Sequence, residues 1–135
     1  LGQHEGLAYY TMGQRGGLGL PGGDGDPWFV AAKNPAANAL IVVQGNQNPA
    51  LFGLQLTASD AHWLEPAFGD RLAKGQTLLC HAKIRYRQED QACRMRLDDT
   101  RRLQVEFEKP QRAITPGQAI VFYDGIVTLG GATIL

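Results

Sequence analysis

Apolar and polar positions alternate in short runs along most of the chain. Nearly every run is bounded by glycine, proline, asparagine or aspartate, the pattern of half-buried strands separated by turns. Three runs come first: "LAYYTM" at 7–12, "PWFVAAK" at 27–33 and "ALIVVQ" at 39–44. A second set lies at 54–64, 77–87, 92–98, 102–108, 118–124 and 126–135. Asp124-Gly125, between two apolar runs, predicts a tight hairpin whose two central positions need φ > 0. No stretch keeps a 3.6-residue period, and only "SDAHWLEPAF" has room for a short helical turn. Many short strands at this spacing predict a mainly β chain, folded as a barrel or sandwich that hides its sheet edges. The polar, proline-bearing "GNQNPA" at 45–50 is the expected boundary, giving parts 1–47 and 48–135.

The densest pattern is "CHAKIRYRQEDQACRM" at 80–95. On a strand, successive side chains point to opposite faces. Cys80, Ala82, Ile84 and Tyr86 then share an apolar face, as do Cys93, Met95 and Leu97 on the next strand. Both cysteines read as core thiols, since buried free cysteine behaves as a small hydrophobe. The same period gathers Lys83, Arg85, Arg87, Arg94 and Arg96 on the other side of one hairpin. Like charges placed opposite one another are unfavourable unless something negative lies between them. Glu106 and Glu108, alternating on the following strand, are one source of negative charge. A phosphate backbone is another, and arginine suits it by bidentate contact.

Composition sharpens this only locally. The 135 residues are 44% hydrophobic and 19% charged, enough for a real core, and the formal net charge is zero. Residues 1–70 carry two basic and six acidic side chains, whereas 71–135 carry eleven and seven. Seven of the thirteen basic residues fall between Lys83 and Arg102, which points to a local phosphate surface or to a cross-strand salt-bridge face. No apolar run approaches the roughly 18 residues of a spanning helix, and there is no secretory signal. Two cysteines thirteen apart make no disulfide framework, so a reducing, cytoplasmic setting is expected. Opening at Leu1 directly into "GQHEG", the chain is expected to be a fragment or processed product.

Other candidate chemistry is thin. "GLGLPG" at 17–22 spells G-x-G-x-x-G, but proline and further glycines follow it instead of a helix to hold a pyrophosphate. The cysteines lack the close pairing of a zinc site. His4, His62 and His81 are scattered, and those in "GQHEG" and "SDAHWL" read as turn or capping residues. No metal site and no catalytic residue are expected in this chain.

Taken in order, "GQHEGLAYYTMGQRGGLGL", "PWFVAAKNPAANALIVVQG", "HWL", "CHAKIRYRQEDQAC" and "AITPGQAIVFYDGIVTLGG" resemble the tRNA-specific 2-thiouridylase family. The most specific parts are "GQR-x-GLG", "K-x-RYRQ" and "TPGQ-x-x-VFY-x-G". Members of this family put sulfur on the wobble uridine of certain tRNAs. The resemblance implies a partial central β domain over 1–47, then an antiparallel β-barrel similar to elongation factor Tu-like barrels. A full member also has an ATP-binding domain with an S-G-G-x-D-S-S loop and two catalytic cysteines, neither of which occurs here. ATP with magnesium, a persulfide sulfur donor and a sulfur-relay partner are therefore implied for the parent enzyme, and no cofactor for this chain.

The implied partner of the barrel is the tRNA anticodon arm, with no membrane or DNA partner. The matching contact positions are Arg85, Tyr86 and Gln118, with Lys83 and Arg87 beside them. For Tyr86 the two readings oppose each other, because alternation sends it inward and the resemblance sends it toward RNA. Gly16 stands where the family often has lysine, Thr128 where it often has cysteine, and Ala132 where glycine is usual; the last two read as packing changes. The alternative is a translation-factor-like β-barrel interaction module whose basic face meets an acidic protein.

Overall fold

A computed structural model describes residues 2–15, 18, 20, 27–45 and 48–135. Most of the glycine loop at 16–25, with "GLGLPG" and the Gly16 departure, lies outside the described residues, as do positions 46 and 47 of the expected boundary. The chain divides into two compact units, Leu1–Gly53 and Leu54–Leu135.

In the first unit, β1 (Trp28–Asn34) pairs antiparallel with β2 (Ala39–Gln44). The Asn34 side chain accepts the Ala37 amide at 3.2 Å, and Asn38 turns with φ 51°. Phe29, Ala31 and Leu51 form a small buried cluster, with Val43 and Phe52 against it. The run at 7–12, expected to be a strand, is not one. Leu7–Tyr9 makes a single 3-10 turn, and the chain bends again at Gly13 with φ 82°. Two local tethers take up the backbone and ring groups a strand would leave to a neighbour. The Tyr10 hydroxyl accepts the Glu5 amide at 3.1 Å, and Gly13 N–H donates to the Val30 carbonyl at 2.7 Å.

The second unit is a closed six-stranded barrel in the spatial order β3-β6-β5-β4-β7-β8. Its strands are β3 (Phe52–Trp63), β4 (Leu78–Lys83), β5 (Gln91–Leu97), β6 (Leu103–Arg112), β7 (Ala119–Asp124) and β8 (Val127–Ile134). The pairs β3–β8, β8–β7, β7–β4, β4–β5 and β5–β6 are antiparallel. Strand direction therefore alternates around the ring, and the closing β6–β3 neighbours are antiparallel as well. Closure removes free sheet edges, as the pattern of short strands requires.

Period-two alternation fills the interior. Ala82, Cys93, Met95, Leu103, Val105, Phe107, Ile120 and Phe122 are all buried. Ala132 joins this core, whereas Thr128 is exposed, so only the first of those two family departures is a packing change.

One short helix, α1 (Pro66–Ala73), follows β3. It begins later than the expected helical turn at 59–68, because residues through Trp63 remain in β3. Proline opens it at N1, where its missing N–H costs nothing, and Phe68 and Leu72, one turn apart, are buried in the barrel core. Trp63 packs on Phe68 and Phe122 with ring centroids 5.2 and 5.6 Å apart. Gly130, paired with Trp63 across β3–β8, makes room for it, since a Cβ there would sit 2.7 Å from the indole.

The β7–β8 hairpin forms as expected, but one residue further along. Asp124 pairs with Val127, so the loop is Gly125-Ile126, and of these only Gly125 has positive φ, 59°. Glycine at the first loop position is the arrangement of a type II′ turn.

Candidate nucleic-acid interface

The end of the barrel where β4 finishes and β7 begins carries the residues of interest. β4 stops at Lys83 because its next two amides leave the ladder. Ile84 N–H and Arg85 N–H both donate to Gln88 Oε1, each at 2.8 Å. The chain turns at 84–88, with Gln88 N–H reaching back to the Arg85 carbonyl at 3.4 Å. Ile84 is the last residue to point inward. Alternation ends with it, so Arg85, Tyr86 and Arg87 all face solvent and Tyr86 is 95% exposed. The inward placement of Tyr86 expected from strand parity is thus corrected, since residue 86 lies in a turn.

Gln88 is itself held. Its Nε2 donates to Gln111 Oε1 at 3.2 Å, and Gln111 Nε2 donates to the Lys109 carbonyl at 2.9 Å. Gln111, 5% exposed, is the one buried polar side chain among the described residues. Arg85 ties the turn to the segment before β7, its Nη2 donating to the Ala113 carbonyl at 3.0 Å. The Thr115 hydroxyl donates to that same carbonyl at 2.8 Å. The Gln118 amide donates to the Thr115 carbonyl, and the Gln118 carbonyl accepts from Ile134 N–H, which fixes Gln118 at the mouth of β7 with its side chain exposed. Although Arg85 is exposed overall, partial burial of its guanidinium where it meets Ala113, with the Arg112 guanidinium nearby, lowers its pKa from the ordinary value, yet arginine stays cationic at any working pH.

Arg85, Tyr86, Arg87 and Gln118 therefore come to one end of the barrel. Lys83 stands at the same end, opposite Val121, but its ammonium lies 5.2 Å from the centroid of the Tyr123 ring, which is level with His81 and so further from the turn. The expected five-residue basic face is not assembled. Arg85 and Arg87 have left the strand for the turn. Arg94 is level with Leu79, four residues back from Lys83 along β4, or about 13 Å. Its guanidinium bonds Glu106 at 2.6 Å, and this bond, with the charge behind it, lowers the Glu106 pKa. The cross-strand ion-pair reading thus holds for Arg94; Arg96 is exposed in register with Gln104, further still from Lys83, so the basic residues at this end are those of 83–87.

The remaining candidates are structural. Cys80 and Cys93 face each other across β4–β5 with sulfurs 3.7 Å apart. Their shared hydrogen bond, with burial, pushes the Cys80 thiol well above its ordinary range. No group of three or more His, Cys, Asp or Glu side chains is placed to hold a metal among the described residues. His4 Nδ1 accepts the Gly6 amide at 3.0 Å, so its Nε2–H donates to the Asn38 carbonyl at 2.8 Å, a turn-holding role. No helix among the described residues is long and apolar enough to cross a membrane.

Gln88 and Gln111 are not marked by the sequence pattern, and parity points to the second only in part. Leu103, Val105 and Phe107 point inward along β6, and residue 111 falls on the same parity. Lys109 shares that parity and is exposed, so parity alone does not bury residue 111; once buried, its amide needs a partner.

Residues 54–134 match the family model described as the aminomethyltransferase beta-barrel domain, and residues 1–44 match the tRNA methyl transferase PRC-barrel domain. The tRNA-specific 2-thiouridylase MnmA of Exiguobacterium sibiricum is 54% identical over 134 residues, covering 99% of this chain and 34% of the relative. Its namesake from Methylococcus capsulatus is 50% identical, covering 99% of this chain and 36% of the relative. That of Staphylococcus aureus strain JH9 is 52% identical, covering 99% and 35%. The chain thus spans about a third of the length of the curated relatives it matches. On matches that take in nearly every residue, the chain belongs to the tRNA-specific 2-thiouridylase family.

Proposed function

We propose that this chain is the RNA-docking part of a tRNA-specific 2-thiouridylase, and that the end of the barrel formed by 84–88 and 113–118 is its docking surface. The observation that carries the reading is the braced turn, which sets Arg85, Tyr86 and Arg87 out in solvent beside Gln118. Arginine supplies charge-assisted bonds to phosphate oxygens. An exposed tyrosine supplies a face on which an unstacked base can lie, the usual way single-stranded loops are read. Gln118 adds an amide that can donate and accept at once. Lys83 contributes charge nearby.

The parent enzyme, in this reading, works in the cytoplasm. Its ATP-binding domain, using ATP with magnesium, activates C2 of the wobble uridine. The outer sulfur of a cysteine persulfide, charged by a relay protein, would displace AMP, and the second catalytic cysteine of that domain would free the thiouridine by forming a disulfide with the first. The present chain holds the anticodon arm for that chemistry and performs none of it. The test is Arg85→Ala in the full-length enzyme, with tRNA affinity measured by filter binding over a salt series. Affinity should fall about tenfold at low salt, and the salt slope should shrink by about one phosphate contact. Unchanged affinity and slope would overturn the docking reading and favour an acidic protein as the partner of this end.

A further inference from the structure

We infer that Gln88 and Gln111 are positioning residues for RNA contact, so that the docking turn is set in shape before RNA arrives. The inference rests on the docking role proposed above and adds to it two residues that need not touch RNA.

The argument begins with Gln111. Position 111 shares the parity of the inward residues Leu103, Val105 and Phe107 of β6; Lys109 between them is exposed, and burial resumes at Gln111. A buried amide costs free energy unless it is hydrogen-bonded, and an apolar side chain of similar size would serve the barrel as well. Gln111 Nε2 donates to its own strand, at the Lys109 carbonyl, and Gln111 Oε1 accepts from Gln88 Nε2. The polarity at this position is thus explained by the turn and not by the core.

Gln88 in turn uses one oxygen to satisfy two backbone amides, Ile84 and Arg85, that the ladder has released. These are the amides on which the exit from β4 depends. Without that acceptor the backbone at 84–85 would regain the freedom to extend. Parity would then turn Tyr86 toward the core and away from solvent. The relay runs from Lys109 through Gln111 and Gln88 to the backbone of Arg85. The Arg85 guanidinium closes it from the other side on Ala113. Ordering a contact loop in advance lowers the entropy lost on binding, so the relay should show as affinity.

The experiment uses the full-length enzyme with Gln88→Ala, Gln88→Glu and Gln111→Met, and with Arg85→Ala as reference. Hydrogen exchange by mass spectrometry reads the peptide over 80–90 without RNA. Steady-state kinetics separate the KM for tRNA from kcat, and thermal unfolding reports global stability. For Gln88→Ala and Gln111→Met we expect exchange at 84–85 to quicken by about tenfold as local opening becomes easier. KM for tRNA should rise about fivefold with kcat at saturating tRNA unchanged, the signature of lost binding uncoupled from chemistry. Gln111→Met should leave the melting temperature within a few degrees, since the core keeps an apolar side chain of similar volume. Gln88→Glu keeps the acceptor for the two amides but loses the N–H donated to Gln111 Oε1, so its exchange should fall between wild type and Gln88→Ala.

If exchange quickens in Gln88→Ala while KM stays at the wild-type value, and Arg85→Ala still raises it, the positioning role is wrong and the docking role survives. If exchange at 84–85 is unchanged in both variants, the relay does not hold the turn and the inference is overturned outright. If Arg85→Ala also leaves KM unchanged, the docking reading itself fails.

Discussion

Gly130→Ala probes how tightly the barrel is built around Trp63. Gly130 is paired with Trp63 across β3–β8, and just beyond it Leu64 N–H donates to the Leu129 carbonyl at 2.8 Å. A Cβ at position 130 would press on the His62 carbonyl oxygen and lie 2.7 Å from Trp63 Cε3 and 3.0 Å from Trp63 Cα. Two of these three neighbours are backbone atoms of the paired strand, so no rotamer change relieves them. Reaching ordinary contact of about 3.4 Å would require β3 and β8 to part by roughly 0.7 Å at the indole alone, which a close-packed interior resists. Overpacking costs about 1–3 kcal/mol, and backbone contact puts this case near the upper end. In a domain of this size each kcal/mol moves the midpoint by about 4–8 °C, so a fall of roughly 12–24 °C is expected. Thermal unfolding followed by circular dichroism measures it. A shift below about 4 °C would show that the strand pair yields easily, and the tight seat described for Trp63 would be wrong.

Three further outcomes follow from the same geometry. Asp98 Oδ1 accepts from Thr100 N–H, the Thr100 hydroxyl and Arg102 N–H, and Oδ2 accepts from Gln104. The Thr100 hydroxyl and Gln104 foremost hold its pKa well below the usual carboxylate range. With the folded value depressed, its contribution is present above the unfolded value near about pH 4 and is lost as pH falls below it. Urea midpoints should therefore drop more steeply in acid for wild type than for Asp98→Asn, and equal acid slopes would refute the role. Arg94→Ala removes an exposed ion pair worth about 1 kcal/mol or less and should change tRNA affinity by under about twofold, against about tenfold for Arg85→Ala. Equal losses in filter binding would restore the single basic face that the sequence pattern implied. The Cys80 thiol, kept protonated by Cys93 and by burial, should alkylate with iodoacetamide at least about tenfold more slowly in the folded chain than in urea; equal rates would contradict its placement.

Where strands are regular, alternation read the molecule correctly. It put Cys93 and Met95 in the core and Arg94 outside, and it anticipated the Arg94–Glu106 pair. It failed where a side chain overrides the ladder. Nothing local in "KIRYRQ" says that Gln88 will draw two amides out of β4, because its brace, Gln111, lies 23 residues away. Tyr86 was accordingly sent inward by parity and stands exposed. The family resemblance had already placed it outward, since it carries the outcome of contacts that strand periodicity cannot represent. The 7–12 run misled for a related reason. Its apolar content is strand-like, but Gly6 at φ 128° and Gly13 at φ 82° bend the chain at both ends of it. α1 was half visible, with Pro66 at its start and Phe68 and Leu72 one turn apart. Eight residues are too few for a helical period to stand out from the strand before it.

The central claim concerns which end of the barrel meets RNA, and position-specific crosslinking tests it most directly. A benzophenone amino acid is placed in the full-length enzyme at position 86, in the 84–88 turn, or at position 126, in the β7–β8 loop at the other end, where Ile126 is fully exposed. After irradiation with tRNA, position 86 should give a crosslink that maps to the anticodon arm, and position 126 should give none. A crosslink from 126 with none from 86 would contradict the account.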